Sequence, residues 1–169
     1  MSRAALRQRE KDQHDPAWLT WLSEMDGALE TYFAVDAPDM PGDPFTAVGL
    51  AHAERVFMAM FSAVDPLFEP EHAAVVDRFQ RYVGETFVRS FDGRWMNVRI
   101  SESRDTDVFF DRRGFEPVVL TPFQDSFIDV VSMVLTAVHC RAGGEWAWIY
   151  GNSAQDYAEW RAPGQPRIL

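Results

Sequence analysis

Across residues 72–100 the spacing of apolar side chains changes period, and that change restricts the fold more than any other feature of the chain. Val75, Val76, Phe79, Val83 and Phe87 recur at helical spacing, with Tyr82 at the edge of their stripe. Beyond Phe91-Asp92-Gly93, Met96, Val98 and Ile100 alternate with Trp95, Asn97 and Arg99, which is the two-residue period of a strand. A helix that feeds a strand through so short a turn predicts a compact α+β domain.

The flanking segments extend this pattern. Asp15-Pro16 supplies an N-cap with proline at the first helical position, and Trp18, Trp21, Leu22, Met25, Leu29, Tyr32 and Phe33 follow at helical spacing, predicting one first helix. Asp43-Pro44 predicts a second helix running to about Val64, where Pro66 stops it. Its apolar arc includes Leu50, Phe57 and Phe61, with His52 and Glu54 at the margins. Residues 107–111 and 115–120 read as further strands, and Thr121-Pro122 opens an apolar fourth helix reaching Val138. Residues 145–150, with Trp146, Trp148 and Tyr150 alternating against Ala147 and Ile149, read as a fourth strand. The expected architecture is therefore three N-terminal helices, a four-stranded mainly antiparallel sheet and a buried helix between strands 3 and 4. Residues 1–14 are expected to be a flexible N-terminal segment, 15–162 a single domain and 163–169 a C-terminal tail.

Composition narrows the functional classes. The chain has 169 residues, 47% of them hydrophobic, enough for one filled core. A formal net charge of -10 opposes binding to nucleic acid or anionic membranes and favours a basic protein partner. Cys140 is the only cysteine, which excludes an internal disulfide and a multi-thiolate metal site, and the charged N-terminal stretch has no apolar run. A cytoplasmic location is the corresponding expectation.

The succession of a Tyr82-x-Gly84-Glu85 helix, a Gly93-x-Trp95 strand and a Pro122-Phe123 segment resembles a group of small bacterial α+β domains of unassigned function. It resembles, more distantly, immunity proteins that neutralise polymorphic toxins. That resemblance implies a protein-binding role and supplies no catalytic residue.

Individual candidates mostly admit structural explanations. Glu85 has Arg81 and Arg89 four residues to either side, the spacing of helix-surface ion pairs. Gly84 is expected to permit the close approach of another backbone rather than to bind a ligand. His139-Cys140 are adjacent on a helix and so point about 100° apart, unlike a nucleophile and its base. Cys140 is expected to be a small core residue. The four histidines lack the spacing of a metal site, so no metal, cofactor or catalytic residue is assigned.

The remaining constellation is aromatic. If both segments are strands, Trp146, Trp148 and Tyr150 share a sheet face with Trp95, Asn97 and Arg99, residue types that dominate protein interfaces. Either that face is open, or the N-terminal helices cover it with Trp18 and Trp21. These six residues with Glu54 form the expected partner-binding set of a non-enzymatic immunity factor, or antitoxin, that blocks a basic toxin as a monomer or homodimer. The alternative is a small hydrolase or small-molecule-binding domain with a pocket between the second helix and the sheet, using Glu54, His52 or Tyr82.

Overall fold

A computed structural model describes residues 3–98, 109 and 112–163. Among them, seven α-helices and one three-stranded antiparallel sheet make up an α+β fold. Three strands replace the four expected, and none of the helices is long and apolar enough to cross a membrane.

After α1 (Arg3–Asp12), α2 (Pro16–Ser23) begins as the sequence implies. Asp15 is extended and its carboxylate accepts the N–H groups of Ala17 and Trp18 at 2.8 and 3.2 Å. The single helix expected through Phe33 is broken. It continues as α3 (Met25–Thr31) and a π-helical turn (Tyr32–Asp36) closed by Ala37 N–H on the Tyr32 carbonyl at 2.9 Å. The wide turn brings Asp36 inward, where it accepts from Arg78 Nε and Nη2 at 2.5 and 2.8 Å.

The second expected helix is α4 (Ala47–Met60), shorter at both ends than predicted. Thr46 rather than Asp43 caps it, Oγ1 accepting the Gly49 N–H at 3.2 Å, and the preceding Pro44 carbonyl accepts the Tyr82 hydroxyl at 2.5 Å. At its other end Arg141 donates to the carbonyls of Met58 and Phe61, and Pro66 lies in a separate 3-10 turn (Asp65–Phe68).

α5 (Ala73–Ser90) is the central element, buried without interruption over 79–87. Glu85 does pair with Arg89 at 2.9 Å, but Arg81 turns away from it toward Asp77. Gly84 sits where an added Cβ would lie 1.9 Å from the Trp95 ring. The same indole donates its Nε1–H to Glu85 at 2.7 Å. The Tyr-x-Gly-Glu and Gly-x-Trp segments are thus two halves of one packing contact, and the approaching group is a side chain rather than backbone.

β1 (Arg94–Asn97) pairs with β2 (Pro117–Leu120), and β2 with β3 (Phe127–Ile128). The expected strand over 107–111 lies outside the described residues except for Phe109, which is helical. Phe127 and Ile128, expected inside the fourth helix, instead pair with Leu120 and Val119. That helix is α6 (Val130–Cys140), restarted by Asp129, whose carboxylate accepts the Ser132 N–H at 3.0 Å. Cys140 is exposed rather than in the core.

The largest correction concerns residues 145–150, which open a long helix, α7 (Glu145–Arg161), rather than a strand. Gly143 and Gly144 both take positive φ, 73° and 78°, and so reverse the chain after α6 at little steric cost. α7 then lies along α4, and Trp146 enters the core while Trp148 points to solvent.

Candidate functional site

The six described members of the expected partner-binding set do not share a surface. Trp95 is half-buried against Gly84 and Glu85. Asn97 is buried at the end of β1, donating Nδ2–H to the Asp12 carbonyl and accepting the Glu116 N–H, while Gln13 bonds its backbone. Arg99 lies outside the described residues. Trp146 is fully buried and donates to the Met133 carbonyl at 3.0 Å. Tyr150 is half-buried and donates to Ser90 Oγ at 3.2 Å. Among the described members Trp148 alone is open, at 67% exposure.

Glu54 is fully buried and accepts the first amides of α7, Glu145 N–H at 3.2 Å and Trp146 N–H at 3.1 Å. Gly144 offers no side chain for that purpose, so a remote carboxylate does the capping. Burial pushes the Glu54 carboxyl above its ordinary 4.5, opposed by those two amides. With the folded value raised, this residue's stabilising contribution is complete below the unfolded value and is lost as pH rises through the folded one. We therefore expect the unfolding free energy of the native protein, minus that of Glu54→Gln, to fall steadily from pH 4.5 upward. Urea titrations of both proteins over that range measure it, and a difference independent of pH would contradict the assignment.

A different cluster has the character of a site. On α2, Trp18 and Trp21 stack at 5.3 Å, and Phe115 packs against them at 5.4 and 5.6 Å. Trp21 also meets Trp95 edge-on at 5.1 Å, which seats it on the Gly84 contact. Below this aromatic wall, Asp77 of α5 accepts from Trp21 Nε1 at 2.8 Å, Arg81 Nε at 2.7 Å and Arg113 Nη1 at 3.2 Å. Arg81, only 3% exposed, lies 4.1 Å over the Trp21 ring and donates to the Trp21 carbonyl. Arg113 also donates to Gln80 Oε1 at 2.6 Å. Burial lowers the Arg113 guanidinium from its ordinary value, and Asp77 works against that shift.

Trp21, Asp77, Gln80, Arg81, Arg113 and Phe115 border a cleft of about 550 Å³ between α2, α5, Phe109 and residues 112–115. Its walls combine aromatic rings with Ala73, Ala74 and Pro16, and its charged lining is Arg81, Arg112 and Arg113 against Glu24 and Asp77. Among the described residues, three buried donors there have no acceptor: Gln80 Nε2, Arg113 Nε and Arg113 Nη2. Such groups ordinarily find partners.

The sequence pattern marked Trp21 only as a core residue and did not single out Asp77, Gln80 or Arg113. The Asp77–Arg81 spacing was available as a signal, whereas Arg112-Arg113-Gly114 reads as an exposed turn. Glu54, His52 and Tyr82 do not line this cleft. Among the described residues Glu69, Glu71 and His72 lie close together, yet the two glutamates are exposed and His72 Nδ1 is engaged with the Pro66 carbonyl. No protein-family model, curated protein or solved structure matches the chain.

Proposed function

We propose that the protein is a non-catalytic binding module that takes a small, partly aromatic ligand into the cleft between α2 and α5. The supporting observation is a concave, aromatic-walled space of ligand size whose polar lining converges on one buried Asp77–Arg81–Arg113–Gln80 network. Asp77 supports binding better than proton transfer, because its two oxygens already accept three N–H groups.

Naphthalene derivatives bearing carboxylate, carboxamide or ammonium groups, each at about 1 mM, are suitable probes because first ligands bind in that range. At least one is expected to shift the Trp21 indole N–H resonance and the amides of Ala73 and Ala74. Ala74→Phe, at an exposed position on the cleft rim, should remove the response with the fold intact. No shift at Trp21 with any probe, or the same shift in the variant, would reject the reading.

Exposed Trp148 favours a second reading, in which the acidic chain binds a basic protein as an antitoxin would. Here a stoichiometric complex with a basic toxin should weaken with salt and with Trp148→Ala. Unchanged affinity in that variant would remove Trp148 from the interface.

A further inference from the structure

We infer that the cleft selects a singly charged, planar carboxylate, received by the unengaged edge of the Arg113 guanidinium together with Gln80 Nε2. This rests on the cleft reading above and adds the chemical class of the ligand's polar end. The orientation of both side chains is fixed by what they already bond. Arg113 uses Nη1 on Asp77 and Gln80, and Gln80 uses Oε1 on Arg113, so the groups left over are all donors.

Nε and Nη2 form one flat edge of a guanidinium, the geometry that pairs two parallel N–H groups with two carboxylate oxygens. The Arg113 guanidinium carbon lies 5.7 Å from the Phe109 ring and 5.5 Å from the Phe115 ring. Its free edge is shut off from water, so a side chain must move to admit an acceptor, and Phe109 and Phe115, which line the cleft, are the rings placed to flank an aromatic body. Charge selects further. The net charge of -10 repels a dianionic phosphate more strongly than a monoanion.

The test compares naphthoate with naphthamide, which share a flat body and differ in the charge of one group. By titration calorimetry the native protein should prefer naphthoate by about tenfold, the scale of a charge-assisted pair relative to a neutral one. Arg113→Met should lose that preference, lowering naphthoate affinity by more than naphthamide affinity. Asp77 keeps Trp21 and Arg81 in this variant, so folding is expected to survive. As a second measurement on the native protein, the Arg113 Nε–H resonance should move with naphthoate and not with naphthamide.

Equal affinities for the two probes, a preference that persists in Arg113→Met, or a silent Nε–H resonance would each overturn the carboxylate assignment and leave the cleft as a binding site. Failure of both probes where the ammonium derivative binds would likewise overturn the carboxylate assignment alone, whereas failure of all three would reject the cleft reading itself.

Discussion

Replacing Asp77 by alanine is expected to cost about 3 kcal/mol of folding free energy, since it strands buried charge rather than loosening a surface pair. Arg81 and Arg113 both donate to this carboxylate, and both lie largely out of solvent. Arg81 would keep the Trp21 carbonyl and the ring beneath it, while Arg113 would keep Gln80, the Phe109 and Phe115 rings and the more distant charge of Glu116. The Trp21 indole N–H would lose its acceptor in the same step. Asp77→Asn should recover part of the loss, because one oxygen remains to accept while the new amide hydrogens face guanidinium donors.

The double variant Asp77→Ala with Arg113→Met should be less destabilised than Asp77→Ala alone, because the second change removes one of the stranded charges. Urea unfolding of the four proteins decides the matter. A cost below about 1 kcal/mol for Asp77→Ala would place the pair among ordinary surface ion pairs, which contribute little.

What the sequence made legible was local. Asp15-Pro16, the stripe of α5 and the alternation of β1 each place their cause within a few residues of their effect, and each element begins where expected. The illegible parts depend on distant partners. β3 exists because Phe127 and Ile128 find Leu120 and Val119, although their own apolar run continues smoothly into α6. Trp21 is 56 residues from Asp77, and Arg113 is 36 residues from it, so no spacing rule points to the network they share. Buried arginine is the least visible case. Arg81 and Arg113 look like solvent-facing charges in sequence and become interior groups only because Asp77, Gln80 and several rings surround them.

α7 shows the same limit and supplies the second large expected effect. Trp146, Trp148 and Tyr150 alternate as a strand face would, and Trp, Ile and Tyr favour strands. Over a longer window Trp146, Ile149, Tyr150, Ser153, Tyr157 and Trp160 fall at helical spacing, and all six are wholly or partly buried. The helix starts at Gly143-Gly144 with Glu54, 91 residues away, capping its first turn. A strand would give Trp146 and Trp148 equivalent surroundings, and this helix does not.

Trp146→Ala is therefore expected to cost about 3–5 kcal/mol, combining a large buried ring with the exposure of the Met133 carbonyl it satisfies. Trp148→Ala, at a position open to solvent, should stay within about 0.5 kcal/mol of the native protein. Denaturant midpoints of the two variants measure the contrast. Similar losses for both would mean that the two indoles share an environment, and α7 would then be wrongly placed as a helix.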